Sequence, residues 1–283
     1  SSQISISGNV LTITPTTAFV RGTNYHVEIG QGVIRDANAN LFAGIANATT
    51  WNFTTNSNPA SPALDLQAAS DSGASNTDNK TNLTTLSFDV KVPSGAVAGD
   101  VIKVYDGQTL VSTITLSGSN ITAGTVTATL TGVAAGSHSY TSTLTRTSDG
   151  LVSDRSSALV VDVNRSTPAT PSIAPLGPTS DNTPTINGTA PANSAVQIFD
   201  ANNNLIGTTN ADANGNWSFT PTAPLADGSY QLKAKATDAY GNISPASTPT
   251  SLVIDTTPPA KPLITAVGPD NGPSTTDKIT SAK

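Results

Sequence analysis

The side chains best suited to chemistry in this sequence are carboxylates that lie in turns. Aspartates end or follow alternating stretches along the chain, as in TSDN, FDANNN, DANGN and ATDAYGN. Ca²⁺ takes six to eight oxygens at about 2.3–2.6 Å from carboxylates, Asn side chains and backbone carbonyls. The turns therefore predict calcium sites wherever the fold collects several of them. The alternative is that Asp and Asn are ordinary turn formers that bond their own backbone.

Residues for catalysis are sparse. The two histidines, His26 and His138, occur in alternating strands of different segments, and Glu28 is the only glutamate. Neither a G-x-S-x-G nor an H-E-x-x-H pattern surrounds them, and the chain has no cysteine to act as a nucleophile. We therefore expect no enzymatic activity, with both histidines at surface or edge positions and Glu28 on a polar strand face.

Composition narrows the class of protein. The net charge is −6, and the 13 Lys and Arg residues are scattered, so no basic stripe is available to bind a nucleic acid. No apolar run is long enough to span a bilayer, and only 11% of the residues are charged and 5% aromatic. The absence of Cys and Met, with no initiator Met and no signal peptide, leads us to expect a fragment of a larger protein without disulfides.

A repeat fixes the organisation of the chain. Residues 100–116, DVIKVYDGQTLVSTITL, align with residues 194–211, SAVQIFDANNNLIGTTNA. Further on, residues 136–164 align with residues 228–257, and each closing strand ends in Val-x-Asp or Ile-Asp before a Pro-rich stretch. Proline cannot extend a strand ladder, so these stretches predict domain boundaries.

Each repeat shows about seven short alternating strands with turn signals every 8 to 12 residues and no helix between them. This pattern predicts an all-β fold of tandem two-sheet sandwiches with Greek-key connections. Trp51 and Trp217 lie on alternating stretches, and we expect both to fill cores.

The repeat boundaries divide the chain into four segments. Residues 59–166 and 167–258 are predicted to be complete domains. Residues 1–56 lack the Pro-rich entry and the first acidic turn, so they are expected to be the C-terminal part of another domain whose opening strands are missing. Residues 259–283 are expected to begin a further repeat that is truncated.

The ordered series DNTP, NGTA, VQIFD, IGTT, DANGNWSFTP, LADGSY and ATDAYGNIS, closed by VIDTTPP, resembles the bacterial immunoglobulin-like (Ig-like) repeats of large surface adhesins and biofilm-associated proteins. Residues 59–164 are similar but more divergent, and LTITP, NYHVEI and TWNFTT resemble the end of another bacterial Ig-like type. The resemblance implies secreted, non-catalytic rods at the bacterial cell surface that hold an adhesive region away from the cell.

Strand parity predicts where the acidic turns collect, because successive antiparallel strands place their turns at opposite ends of a sandwich. In the middle domain Asp71, Asp78 and Asp162 fall at the C-terminal end and are expected to face Asp212 and Asp238 of the next domain. Asp181, Asp255 and Asp200 fall at the C-terminal end of the domain 167–258. At that junction the truncated unit 259–283 would contribute Asp270 and Asp277. The predicted calcium ligands are therefore Asp71, Asp78, Asp162, Asp181, Asp212, Asp238, Asp255, Asp270 and Asp277, with Asp200 a weaker candidate.

The leading hypothesis is an elongated array that acts as a stalk for surface attachment and biofilm formation, stiffened by Ca²⁺ between neighbouring repeats of the same chain. A second hypothesis is a carbohydrate- or protein-binding module, which should display an exposed aromatic patch. A third is a set of accessory domains of a secreted enzyme, which would require a catalytic domain elsewhere in the protein. The sequence does not identify the adhesive target.

Overall fold

The structure is a computed structural model that describes residues 3–263. The chain divides into two compact units, Ser1–Ser166 with Ala239–Asn242, and Thr167–Asp238 with Ile243–Lys283. Asp270, Asp277 and most of the predicted final repeat lie outside the described residues. The first unit contains a small N-terminal segment and a complete sandwich, and the second contains one further sandwich.

The N-terminal segment consists of two small antiparallel sheets. Strands β1 (Ile4–Ser7) and β2 (Val10–Ile13) form one hairpin, and β3 (Asn24–His26) pairs with β4 (Asn52–Thr54). No residue described between positions 3 and 55 is fully buried. The prediction that Trp51 fills a core is therefore wrong for this structure, since its side chain is 58% exposed. Two sheets of two strands are too narrow to cover both faces of an indole ring.

The first sandwich packs a three-stranded sheet, in the order β10-β7-β5, against a five-stranded sheet, in the order β6-β12-β11-β8-β9. Its strands are β5 (Leu64–Leu66), β6 (Lys80–Thr81), β7 (Thr85–Lys91), β8 (Val101–Asp106), β9 (Thr109–Thr115), β10 (Thr125–Thr131), β11 (Gly136–Thr145) and β12 (Leu159–Val163). Alternate residues point inward, so Leu86, Phe88 and Val90 of β7 are all buried in the core. The tilted rings of Phe88 and Tyr140, 4.8 Å apart, help to fill that core.

One helix departs from the sequence prediction. Helix α1 (Gly118–Ala123) lies between β9 and β10, where an uninterrupted run of strands was expected. Ser117 caps its first turn by accepting the Asn120 amide, the Asn120 side chain accepts the Ser117 amide in return, and Gly124 ends the helix at φ +69°. This capping box stabilises a helix that is too short to produce a helical pattern in the sequence.

The second sandwich repeats the same sheet orders, β13-β15-β18 and β14-β20-β19-β16-β17. Its strands are β13 (Ser172–Ile173), β14 (Pro178–Thr179), β15 (Ile186–Thr189), β16 (Ala195–Phe199), β17 (Leu205–Asn210), β18 (Asn216–Phe219), β19 (Gly228–Thr237) and β20 (Thr250–Ile254). Trp217 is only 3% exposed, which confirms its predicted place in a core. Gly188 makes room for it, because a Cβ at that position would collide with the indole ring.

Each sandwich has eight strands rather than about seven because its opening strand is split between the two sheets. In the first sandwich β5 pairs with β7, and the chain then crosses to the other sheet, where β6 runs parallel to β12. In the second, β13 pairs with β15 and β14 runs parallel to β20. The opening and closing strands of a sandwich are thereby hydrogen-bonded side by side in the same direction.

Two serines continue the sheet of the first sandwich where regular pairing ends. The ladder between β11 and β12 stops at Tyr140 and Leu159, but the amides of Ser142 and Leu144 donate to the hydroxyls of Ser156 and Ser153 at 3.0 and 2.9 Å. The Ser156 and Ser153 amides donate back to the carbonyls of the same two residues. We call this arrangement the serine clasp.

The second sandwich has the same clasp on β19. The Ala234 and Ala236 amides donate to the hydroxyls of Ser247 and Ser244 at 3.0 and 2.9 Å, and both serine amides donate back. In both sandwiches each clasp hydroxyl also donates to the next carbonyl along the chain. The segments after β11 and β19 therefore stay bonded to these strands without forming regular strands themselves.

Replacing a clasp serine should destabilise its sandwich. Ser153→Ala leaves the buried Leu144 amide without its side-chain acceptor, which should lower the free energy of unfolding by about 1–3 kcal/mol. Urea denaturation of the variant measures this change, with Ser157→Ala, at an exposed neighbouring position, as the control. Equal effects of the two substitutions would contradict the role assigned to the clasp.

Candidate functional site: the acidic turns

Three predicted calcium ligands lie at one end of the first sandwich. Asp71 is 5% exposed and accepts the amides of Asn79 and Lys80 at 2.9 and 3.1 Å. Asp78 accepts the same Lys80 amide at 3.2 Å, and the Lys80 ammonium lies 3.7 Å from its carboxylate. Asp162 is the strand partner of Lys80 in the parallel β6–β12 pair. The structure therefore brings these three aspartates to the same end of the sandwich, around Asn79 and Lys80.

The second sandwich places Asp181 and Asp255 together in the same way, after the parallel strands β14 and β20. The Asp255 amide donates to the Thr179 carbonyl at 3.0 Å, and the Asp181 amide donates to the Thr179 hydroxyl at 3.0 Å. Each carboxylate also caps its own turn by accepting an amide two residues ahead, from Thr183 or Thr257.

Asp227 is a further acidic residue at this end, and it was not predicted from the sequence. Its carboxylate accepts the amide and hydroxyl of Thr256 at 3.1 and 2.8 Å and the Thr257 hydroxyl at 3.1 Å. These bonds, led by the one from the Thr256 hydroxyl, lower the pKa of Asp227. Parity could have found it, since LADGSY connects β18 to β19 at the same end as Asp255.

Asp200 shapes the hairpin turn between β16 and β17, and Asp212 shapes the turn through which the chain crosses from β17 to β18 in the other sheet. Asp200 accepts the amides of Asn202 and Asn204 and the Asn204 side-chain amide, and this last bond is the main cause of its lowered pKa. Asp212 accepts the amides of Asn214 and Asn216, and the Asn216 amide is the main cause of its lowered pKa. Asp238 follows β19 directly and is half-buried.

The acidic turns have the oxygen chemistry that Ca²⁺ prefers, but their carboxylates are already used as turn caps. Both oxygens of Asp71 accept backbone amides, and one oxygen each of Asp181, Asp212 and Asp255 does so. Within residues 3–263, no group of three or more acidic or histidine side chains is close enough to hold a metal ion. A calcium ion would therefore have to draw on the remaining lone pairs and on turn carbonyls, and calcium binding stays a prediction.

Asp100 is the most enclosed carboxylate and was not predicted as a special residue. It is 0% exposed and accepts the Val97 amide at 3.0 Å and the amide and hydroxyl of Thr147 at 2.9 and 3.1 Å. Burial by itself raises its pKa, but these hydrogen bonds and the charge of Arg146 outweigh burial, so its pKa lies below 3.8. Asp100 holds the start of β8 to the turn after β11, while the aligned Ser194 caps its own local turn instead.

His138 lies at the start of β11, less exposed than the surface position predicted for it. Its Nδ1 is 2.6 Å from the Asp106 carboxylate, and its Nε2 is 3.1 Å from the Ala134 carbonyl. The aligned Tyr230 donates its hydroxyl to the Ala226 carbonyl at 2.9 Å, which is the arrangement called a tyrosine corner in Ig-like sandwiches. His138 therefore occupies a structural corner position. His26 and Glu28 are exposed, as predicted, with 3.3 Å between them.

Beside His138, Tyr140 closes the corner from the core side. Its ring stacks on the imidazole with 5.8 Å between ring centroids and an angle of 11°. Burial, assisted by the negative charge of Asp106, raises the pKa of Tyr140 to about 12. The tyrosine is therefore neutral at physiological pH and serves as a core residue.

An apolar groove of about 410 Å³ runs between the two small sheets of the N-terminal segment. Its lining includes Leu11, Ile13, Phe19, Val27, Trp51 and Phe53. The ring centroid of Phe19 lies 4.6 Å from that of Tyr25 and 5.1 Å from that of Phe53. The groove therefore contains an aromatic cluster that is partly open to solvent. In the complete sandwiches, side chains of this kind are covered by a second sheet.

The two successive sandwiches have the same strand order and the same split opening strand. Each also has a corner residue near the start of its long strand, β11 or β19. These features define an all-β protein of tandem Ig-like domains. The family can be stated more specifically. The chain belongs to the bacterial Ig-like domain family, whose model matches residues 56–163 and 177–256. A second bacterial Ig-like domain model matches residues 1–55. The family and fold class predicted from the sequence are confirmed.

Solved structures provide further likenesses. Fibronectin(III)-like modules of Clostridium thermocellum CbhA are 16% identical, with 68% of this chain and 94% of that chain covered and a TM-score of 0.44. The BSP domain of a biofilm-associated protein is 26% identical, with coverages of 63% and 29% and a TM-score of 0.27. A tetra-tandem repeat in the extending region of a large adhesion protein is 22% identical, with coverages of 87% and 60% and a TM-score of 0.30.

The chain thus spans less than a third of the biofilm-associated protein's structure. No curated protein sequence matches it. In the part of the chain that the structure describes, no helix has the length and apolar character needed to cross a bilayer.

Asp100 should make the first sandwich sensitive to acid. Because the pKa of Asp100 is lowered by folding, its stabilising contribution is present above the ordinary pKa of 3.8 and is lost as the pH falls below it. We expect Asp100→Asn to lower the free energy of unfolding at pH 7 by about 1–3 kcal/mol, since hydrogen bonds to a buried charge are lost.

Urea denaturation between pH 7 and pH 3 measures this effect. The difference between wild type and Asp100→Asn should shrink toward acid pH, and Asp89→Asn, an exposed carboxylate on β7, is the control. A difference that does not change with pH would contradict the assignment of a charged, hydrogen-bonded Asp100.

Proposed function

We propose that the chain is a non-catalytic extender segment of a bacterial surface adhesin, which projects an adhesive region from the cell for attachment and biofilm formation. Its parts are the domains 59–166 and 167–258, flanked by the C-terminal part of a domain in 1–56 and the start of another in 259–283. Their stacking into an elongated array at the cell surface belongs to the same proposal.

One observation carries the extender role: the two sandwiches share their scaffold and differ in their reactive groups. Sheet order, the split opening strand and the serine clasp recur in both. The Asp106–His138 pair of the first sandwich does not recur, since Tyr230 stands where His138 does. Buried Asp100 is likewise matched by Ser194. A repeated frame with changing polar groups suits a spacer, in which domain number and stiffness are the functional properties.

Calcium at the ends of the sandwiches is the second part of the proposal. Asp162 with Asp71 and Asp78 would meet Asp212 and Asp238 at one junction, and Asp181 and Asp255 would meet Asp270 and Asp277 at the next. The clustering of Asp71, Asp78 and Asp162 around Lys80 supports the idea that carboxylates collect at domain ends. A shared ion would restrict the hinge between neighbouring repeats.

Small-angle scattering and thermal melting, each in Ca²⁺ and then in chelator, test both parts. The extender role predicts an elongated particle, and the calcium role predicts a shorter maximum dimension and a lower melting temperature after chelation. Asp162→Asn with Asp238→Asn should abolish the calcium response, while the control Asp65→Asn, at an exposed position in the middle of the edge strand β5, should keep it. A compact particle in both buffers would contradict the extender role, and unchanged values on chelation would contradict only the calcium part.

The aromatic groove favours one rival function, a carbohydrate- or protein-binding module. Phe19, Trp51 and Phe53 are 45, 58 and 37% exposed, which is the kind of surface that such a module displays. We propose instead that the groove is half of a domain core. It continues into aliphatic residues of both small sheets, and no residue described in this segment is buried, so the segment lacks a core of its own. Opening strands from the preceding part of the polypeptide would supply the other half.

Trp51 fluorescence distinguishes these functions in a Trp217→Phe background, where it is the only tryptophan. In the present chain Trp51 should emit at long wavelength and be quenched readily by acrylamide. Extending the chain upstream in the parent polypeptide should shift its emission to shorter wavelength and suppress quenching, because the added strands bury the ring. If Trp51 stays exposed in the extended protein, the groove is a binding surface rather than an unfinished core.

A further inference from the structure

The linker between the N-terminal segment and the first sandwich, residues 56–58, is fixed by side chains on both sides. From the sandwich, the Arg146 guanidinium donates to the Ser57 carbonyl at 3.0 Å, and the Asp149 carboxylate accepts the Asn56 side-chain amide at 2.9 Å. From the N-terminal segment, Arg21 donates to the Asn58 side chain at 3.3 Å. These contacts hold a polar linker sequence that would otherwise be flexible.

Arg146 and Asp149 are themselves held by a tight turn. The Arg146 Nε donates to both Asp149 oxygens at 2.9 and 3.1 Å, and its Nη2 donates to Oδ2 at 2.7 Å. The backbone closes the turn, since the Gly150 amide donates to the Arg146 carbonyl and the Arg146 amide donates to the Leu151 carbonyl. The side chains are only 24 and 22% exposed, so the pair is better shielded from water than an ordinary surface salt bridge.

The electrostatics keep this pair charged over a wide pH range. The hydrogen bonds from Arg146 are the main cause that lowers the pKa of Asp149 to about 2, and the bonds to Asp149 raise the pKa of Arg146. The contribution of the Asp149 charge is therefore present above about pH 4 and is lost only as the pH falls toward 2.

The pair belongs to the first sandwich alone. The corresponding turn after β19, TDAYGNI at residues 237–243, contains neither arginine nor lysine. The two repeats therefore share a serine clasp but differ in this turn. Arg146 and Asp149, which occur only in the first turn, are the residues that bond the linker at residues 56–58. A pair that the common fold does not require points to a role in the linker.

We propose that Arg146 and Asp149 form a calcium-independent lock that fixes residues 56–58 and so sets the orientation of the N-terminal segment on the first sandwich. This inference rests on the proposed extender function and adds a second way of stiffening a junction. A linker fixed by a guanidinium and a carboxylate needs no divalent ion. One end of the first sandwich would then remain rigid under conditions that release calcium at the other end.

Pulsed EPR distance measurements test the lock. The chain has no cysteine, so spin labels can be attached at Asn9→Cys, in the exposed β1–β2 turn, and Thr113→Cys, on an exposed face of β9. In chelator, the wild-type background should give one narrow distance peak that added Ca²⁺ does not change. Arg146→Ala should abolish the narrow peak and give a broad distribution.

Arg155→Ala is the matched control, because Arg155 contacts the Tyr105 ring, the Gly107 carbonyl and Thr141 rather than the linker. It should keep the narrow peak. Asn56→Ala removes only the linker side chain that bonds Asp149 and leaves every residue of the sandwich in place. It should also broaden the distance distribution. The lock is therefore tested even if Arg146→Ala has a folding defect. Thermal melting checks that each variant is folded.

Three results would overturn the lock: a broad distribution in the wild-type background, a peak that narrows only when Ca²⁺ is added, or equal broadening by Arg155→Ala. None of these bears on the particle length measured by scattering. Failure of the lock and failure of the extender role are therefore separate outcomes.

Discussion

The architecture of each sandwich depends on satisfying every backbone amide of one long strand. Strands β11 and β19 are ten residues each and lie at the centre of their five-stranded sheets, so the amides in the buried part of each strand, from Tyr140 and Leu232 onward, are shielded from water. The closing strands β12 and β20 cover only the first half of this length. Serine hydroxyls cover the rest, and they do so at matching positions in both repeats. An unpaired buried amide is costly, so this part of the sequence is less free to vary than the turns.

Much of this fold could be predicted from the sequence. Alternation places Leu86, Phe88 and Val90 on one face, and the repeat alignment predicts two equivalent sandwiches. Strand parity also places Asp181 beside Asp255 and Asp78 beside Asp162, because direction alone decides the end of the sandwich at which a turn lies. These features depend on local pattern and on counting strands.

Other features depend on contacts between residues far apart in the chain, which local pattern does not encode. Trp51 has the same alternating surroundings as Trp217, but only Trp217 meets a neighbouring strand with a glycine opposite its ring. Asp100 resembles any other turn aspartate until Thr147, on the turn after β11, is placed against it. Arg146 has no visible role until the linker at Ser57 reaches it. The candidate ligands could be located by parity, and ordinary turn chemistry accounts for the amides two residues ahead of Asp181 and Asp255. The amides of Asn79 and Lys80, which occupy both oxygens of Asp71, are too distant in the chain for local pattern to predict.

The parallel pairing of the opening and closing strands also has a mechanical consequence. In the first sandwich β6 lies near the N-terminal end and β12 at the C-terminal end of the domain's sequence, and the two strands run parallel. Strands β14 and β20 have the same arrangement in the second sandwich. Tension applied to the two ends pulls the paired strands in opposite directions along their own length. All the bonds of the pair are then loaded in shear at once, rather than opened one after another from an end, so they share the force. A sandwich built this way resists stretching through a few backbone bonds next to its termini.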